Sequence, residues 1–97
     1  MQVSVRFFTS LREITGKREE TIQFTQDSTV TLDDVLQKLT KKYGKDFTEY
    51  IYDQRTKQPK GYLQFLINGK SISPAKDTKT RIRNGDVLAI IPPVGGG

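Results

Sequence analysis

Cysteine and histidine are absent from the chain. The first absence excludes disulfides, thiol nucleophiles and thiolate metal sites, and it leaves the redox compartment open. The second removes the commonest general base and metal ligand. Carboxylates alone could still bind a metal, but the composition does not suit a self-contained hydrolase or metalloenzyme. The expectation is a protein with no catalytic residues, no metal and no bound cofactor. Long apolar runs are missing too, so nothing approaches the length of a membrane span. The first residues, Met1-Gln2-Val3-Ser4-Val5-Arg6, alternate where a signal peptide would carry an unbroken apolar core. These absences predict an intracellular, cytoplasmic protein without a membrane partner. Acidic residues are the scarcer charge, 11 against 16 basic ones, for a net +5. Such a surface attracts acidic partners, although most of these charges read as a merely soluble surface. The 97 residues suffice for one domain with one modest core.

What is present is concentrated at the end. An apolar run, Val87-Leu88-Ala89-Ile90-Ile91, reads as a final strand, and Pro92-Pro93-Val94-Gly95-Gly96-Gly97 follows it directly. Neither proline has an N–H to give a ladder, so the strand cannot continue. The glycines lack a Cβ and fit a slot too narrow for other residues. Six extended residues reach roughly 20 Å, with the α-carboxylate of Gly97 at the tip. A triple glycine alone is as well read as a disordered end or a scar. The core strand and stiff proline pair immediately before it favour an arm directed away from the body.

Taken in order, the chain first alternates. Val3, Val5 and Phe7 form one face of a half-buried strand, which puts Phe8 on the polar face. Thr9 to Arg18 is polar, with Leu11 and Ile14 as anchors and Gly16 as a turn. Thr21-Ile22-Gln23-Phe24 is a second strand, antiparallel to the first. A helix is predicted over Leu32 to Tyr43: Thr31 is the N-cap, Asp34 completes a capping box, and Val30 staples onto Val35. Its apolar stripe is Leu32, Val35, Leu36, Leu39 and Tyr43; Asp33 and Asp34 suit its positive end, and Lys38, Lys41 and Lys42 its negative end. Gly44 stops it. Asp46 to Pro59 is less periodic, with Phe47, Tyr50, Ile51 and Tyr52 sealing one end of the core. Asp53 to Gly61 reads as a loop. Tyr62 to Ile67 is a strand, Asn68-Gly69 a type I′ hairpin turn, and Lys70-Ser71-Ile72 the return strand. Ser73 to Asn84 is a polar connection with room for one helical turn, and Asn84-Gly85-Asp86 turns into the last strand. The predicted core is Val3, Val5, Phe7, Ile22, Phe24, Leu32, Val35, Leu36, Leu39, Phe65, Ile67, Leu88 and Ile90. This order implies an α+β roll, a mixed sheet with one main helix across one face.

The opening strand with its Arg6-Phe7-Phe8 end, the single helix, Leu66-Ile67-Asn68-Gly69, Asn84-Gly85-Asp86 and the closing Pro92-Pro93-Val94-Gly95-Gly96-Gly97 carry a resemblance. Together they resemble the ubiquitin-like β-grasp sulfur carriers and modifiers: the small subunit of molybdopterin synthase, the archaeal ubiquitin-like modifiers and the ubiquitin-related modifier. Gly95 fills a position where family members often carry Ser, Ala or Thr, and the stretch from Lys45 to Gly61 is longer than in the shortest carriers. The resemblance implies a β-grasp domain over residues 1–91 and a flexible tail over 92–97. It also implies a chemistry. An E1-like enzyme uses ATP to adenylate the C-terminal carboxylate, here Gly97. The glycine then becomes a thiocarboxylate that supplies sulfur to molybdopterin or to tRNA, or it is joined to a target lysine by an isopeptide bond. The partners implied are the E1-like adenylating enzyme and either the molybdopterin synthase large subunit or target-protein lysines. The chain itself is the carrier and not the catalyst.

Strand parity adds a candidate docking patch. If Val3, Val5 and Phe7 point inward, Phe8 does not; likewise Leu66 faces out beside Phe65 and Ile67, and Ile91 beside Leu88 and Ile90. The alternative is that Lys45 to Gly61 covers these side chains. Two other functional readings stand beside the carrier. One is a non-covalent β-grasp interaction module with an incidental tail. The other is a small nucleic-acid binder using Lys76, Lys79, Arg81 and Arg83. A single-strand binder interleaves aromatics with its basic residues, and no aromatic lies between Lys70 and the end of the chain.

Overall fold

The computed structural model describes residues 1–25, 29–73 and 79–93. The elements in chain order are β1 (Gln2–Phe7), α1 (Ser10–Thr15), β2 (Glu19–Gln23), β3 (Val30–Thr31), α2 (Leu32–Tyr43), α3 (Lys45–Ile51), β4 (Gln64–Ile67), β5 (Lys70–Ile72), β6 (Arg81–Ile82) and β7 (Val87–Ile91). Five strands form a mixed sheet in the order β2-β1-β7-β4-β5, while β3 and β6 pair separately. The two outer hairpins are antiparallel, and the chain's first and last strands, β1 and β7, lie parallel at the centre. This is the expected β-grasp roll.

α2 begins and ends where its local chemistry dictates. The Thr31 hydroxyl accepts from the Asp34 N–H, and the Asp34 carboxylate accepts from the Thr31 N–H, closing the capping box. Leu32, Val35, Leu36 and Leu39 are buried against the sheet. The β4–β5 hairpin turns through Asn68 at φ 51 and Gly69 at φ 83, the two left-handed residues a type I′ turn requires.

The core extends beyond the predicted residues. Leu11, Val30, Phe47, Ile51, Leu63 and Ile82 are buried as well. Phe24 and Ile67 correct the expectation in the other direction: both are half-buried and pack on the margin of the core. Two short helices replace segments read as irregular. α1 is one turn and a half that buries Leu11 and is capped by Gly16 in the left-handed conformation. α3 buries Phe47 and Ile51, and the Phe47 ring stands edge-on to Phe7 at 6.2 Å. Phe7 points inward, so α3 lies on the α2 side of the sheet. The polar connection before β7 holds a two-residue strand, Arg81–Ile82, paired with Val30–Thr31. Of the Ser73 to Asn84 connection in which one helical turn was allowed for, residues 74–78 lie outside those described.

One charge sits inside this frame. Glu20 is on the inward parity of β2, and its side chain is 9% exposed. Lys42 Nζ approaches its Oε1 at 2.7 Å and Lys17 Nζ at 3.1 Å, and the Tyr43 hydroxyl donates to the same oxygen. Burial alone would raise the carboxyl; the hydrogen bonds from Lys42, Tyr43 and Lys17 outweigh it and hold the pKa down to about 2. Burial, and then Glu20 itself, push the Tyr43 phenol well above its ordinary value. The Tyr43 ring packs on Phe7 at 6.0 Å and Phe47 at 5.8 Å, so the clasp joins β2, α2 and α3.

Candidate functional site at the root of the C-terminal tail

β7 is the strand from which the tail departs, and it is held along both edges. Ser4 to Phe7 pair with Val87 to Ile90 on one side, and Gln64 to Ile67 pair with Ile91 to Leu88 on the other. Its beginning is stapled to the β4–β5 turn. The Asn68 N–H donates to the Val87 carbonyl, and the Val87 N–H donates to Asn68 Oδ1, both at 2.9 Å. Asn68 Nδ2 also donates to Asp86 Oδ1, while Asp86 Oδ2 accepts from the Arg83 N–H. At its other end the packed chain continues past the strand: Pro92 is buried and Pro93 half-buried. Val94, Gly95, Gly96 and Gly97, with the flexible arm expected of them, lie outside the described residues. The base of the tail is therefore a fixed point on the body.

The outward face beside this root is apolar at its centre. Register places Ala89 between Arg6 of β1 and Leu66 of β4, with Ser71 beyond. Ile91 lies opposite Gln64, diagonal to Leu66. Phe8 follows Phe7, the partner of Ile90, so it continues the same row towards Ile91. Phe8, Leu66, Ala89 and Ile91 are each half-buried. The structure thus brings the three patch residues expected from parity onto one face, and it adds Ala89, which sequence reasoning left out although its parity with Ile91 was legible. Around Phe8 the surface is cationic. The Arg12 guanidinium lies 5.5 Å and that of Arg6 5.9 Å from its ring centre, and Arg12 Nε donates to the Phe7 carbonyl at 3.0 Å. Arg12 reaches that place only because α1 folds back beside β1, a signal no local pattern carried. Of the Lys45 to Gly61 segment considered as a cover for the patch, α3 packs on the opposite side of the sheet through Phe47.

Among the described residues no group of three or more metal-ligating side chains comes together, and no helix is long and apolar enough to cross a membrane. A cavity of about 450 Å³ lies between α2 and α3, lined in part by Thr40, Thr48, Tyr52 and Asp53. Of the basic residues weighed for nucleic acid, Arg81 lies on the short β6 strand, Lys79 and Arg83 are exposed beside it, and Lys76 is outside the described residues.

A mixed sheet gripped by one principal helix, with the last strand central and the chain running off its end, defines a ubiquitin-like protein of the β-grasp class. The profile of the ThiS family matches residues 5–97, and the chain belongs to that family. Small archaeal modifier protein 3 of Haloferax volcanii is 30% identical over 97 residues, covering all of both chains. In structure the chain is similar to SAMP1 of Haloferax volcanii, with a TM-score of 0.81 at 22% identity and full coverage of both. It is also similar to a chain of the complex between subunits 1 and 2 of molybdopterin-converting factor from Helicobacter pylori, at a TM-score of 0.60 and 22% identity, again with full coverage of both.

Proposed function

We propose that the protein is a ubiquitin-like sulfur carrier, protein modifier or both, whose reactive group is the carboxyl of Gly97. The observation that carries this reading is the family match itself, which runs through residue 97 and so includes the whole Pro-Pro-Val-Gly-Gly-Gly ending. A carboxylate is a poor electrophile at neutral pH. An E1-like adenylating partner would let the Gly97 carboxylate attack the α-phosphate of ATP, releasing pyrophosphate and leaving an acyl-adenylate. Hydrosulfide, the reduced form of the donated sulfur, then displaces AMP to give the thiocarboxylate, or a lysine amine displaces AMP and loses a proton to give an isopeptide bond. ATP belongs to the partner; the chain supplies the carboxylate and the surface that presents it. Use of ATP and of such partners supports a cytoplasmic location for this action.

The geometry supports the division of labour. A rigid root at Pro92 and an apolar face of Leu66, Ala89 and Ile91 beside it let a partner hold the body while it threads the tail. Acceptors fall into two classes: a pterin-cofactor synthase large subunit or a thiolated tRNA for the sulfur, and target lysines for conjugation. The name of the Haloferax volcanii relative favours the second, and the Helicobacter pylori subunit complex the first.

ATP–pyrophosphate exchange with the cognate adenylating enzyme tests this reading. Deleting Gly97 leaves the carboxylate one residue, roughly 3.5 Å, short of the phosphate and is expected to abolish exchange. Gly96→Val, which widens the arm and restricts its backbone, is expected to do the same. Exchange at the full rate by the shortened chain would overturn it. Intact mass after incubation with ATP, thiosulfate and cell extract separates the two outcomes: a sulfur-for-oxygen exchange marks the carrier, and added protein mass the modifier.

A further inference from the structure

The five-stranded sheet has β2 at one edge, paired only with β1 among the described residues. The direction of its main-chain groups follows from two bonds. The Phe24 N–H donates to the Met1 carbonyl and the Phe7 N–H to the Arg18 carbonyl. By antiparallel alternation Arg18, Glu20, Ile22 and Phe24 therefore turn their amides towards β1, and Glu19, Thr21 and Gln23 turn theirs outward. Lys38 gives an independent check, since its Nζ donates to the Gln23 carbonyl from outside the sheet at 2.8 Å. Among the described residues the edge is thus open at Thr21 and presents backbone donors and acceptors at the spacing of a strand.

Beside this edge runs a groove of about 460 Å³ between β2 and α2. Ile22 and Leu39 form its floor, and Lys38, Lys41 and Lys42, all exposed, line the helix wall. Lys42 shares Glu20 with Lys17. Lys38 lies 4.6 Å over the Phe24 ring, and neither Lys38 nor Lys41 has a carboxylate partner among the described residues. Asp34, farther along the helix, is turned into the capping box. An apolar floor, a cationic wall and an open strand edge on one side of the molecule match a single kind of ligand.

We propose that this edge binds an extended acidic segment of a partner protein by strand addition, the segment's backbone pairing with Thr21 and the Gln23 N–H, alternate β-branched side chains resting over Ile22 and Leu39, and its carboxylates meeting Lys41 and Lys38, whose ammonium has donors to spare beside its bond to the Gln23 carbonyl. A second copy of this chain is the poorer occupant, because β2 against β2 would bring two lysine walls together. Nucleic acid is poorer too, because it has no use for amides in a strand array. The groove opens beside β2 at the sheet edge, whereas the tail is rooted on central β7, so binding here does not use the root of the tail.

The test uses the full chain and a labelled synthetic peptide with a run of valine and isoleucine followed by aspartates, with no ATP or activating enzyme present. Binding is expected by fluorescence anisotropy, with slowed amide exchange at Thr21 and Gln23 and an affinity that falls steeply with salt. Charge reversal at both Lys38→Glu and Lys41→Glu is expected to weaken it about tenfold while thermal unfolding changes little. Thr21→Pro, which removes an outward N–H and none that pairs with β1, is expected to abolish binding; if its fixed φ unfolds the strand, the lysine pair alone decides. The inference is overturned by the absence of binding at millimolar peptide. It is equally overturned if the peptide instead perturbs Leu66 and Ala89, if the charge-reversed chain binds unchanged, or if the same lysines bind a labelled oligothymidylate while the peptide fails. A dimer through β2 that excludes the peptide would overturn it as well.

Discussion

Replacing Glu20 by glutamine should remove most of the protein's acid sensitivity. The carboxyl is held at about 2 in the folded chain against 4.5 in the absence of these contacts. A group lowered by folding stabilises the folded state above its unfolded pKa, and that contribution disappears as pH falls towards the folded value. The window here runs from about pH 5 down to about pH 2. A shift of this size converts to about 3 kcal/mol at its largest. Lys17 and Lys42 are about half exposed, at 47% and 52%, so water screens their share and a net contribution of about 1–2 kcal/mol is the better figure. In a domain of this length that is about 5–10 °C in Tm. Glu20→Gln keeps the shape and one acceptor for Tyr43 and the lysines, so its curve should start lower at neutral pH and run flatter on acidification. Urea unfolding followed by circular dichroism at a series of pH values measures both curves. Parallel curves for the two proteins down to about pH 2 would refute the assignment of the clasp as the source.

Two further outcomes follow from burial and parity. Leu39→Ala empties a side chain that is 1% exposed under α2 and should cost about 2–5 kcal/mol in denaturant unfolding; a near-neutral effect would mean that the helix stripe packs elsewhere. Leu66→Arg, on the open face of the sheet, should leave unfolding within about 0.5 kcal/mol of the parent. It should also weaken capture by the adenylating partner in a pull-down, whereas loss of folding would make Leu66 part of the core.

Much of the candidate site was legible in the chain because its signals are local or periodic. Outward parity for Leu66 and Ile91 needs only a strand and an inward neighbour, and the ladder agrees through Phe65 opposite Ile90. Phe8 was legible as outward but not as flanked by Arg6 and Arg12, because Arg12 arrives on a short helix that only packing stabilises. Leu63 was left out of the core although it shares the parity of Phe65 within the expected strand Tyr62 to Ile67, and Ile82 was missed because it sits in a two-residue strand flanked by arginines.

The division has one physical cause. By itself the sequence determined α2 to the residue and the hairpin turn at Asn68-Gly69, because a capping box and a type I′ turn are made among residues three or fewer apart. It also determined the order of the long strands, since a period of two is written along each of them. Tertiary structure alone decided the rest. α3 starts at Gly44 without a side-chain cap and exists because Phe47 and Ile51 find the core. β3 and β6 are two residues each and are strands only because distant segments meet. Pro92 is buried rather than part of a free arm. The Glu20 clasp and the open edge of β2 likewise depend on β2 lying at the sheet margin beside the lysines of α2. Their free energy comes from contacts between residues far apart in the chain, and no short window of sequence contains both partners.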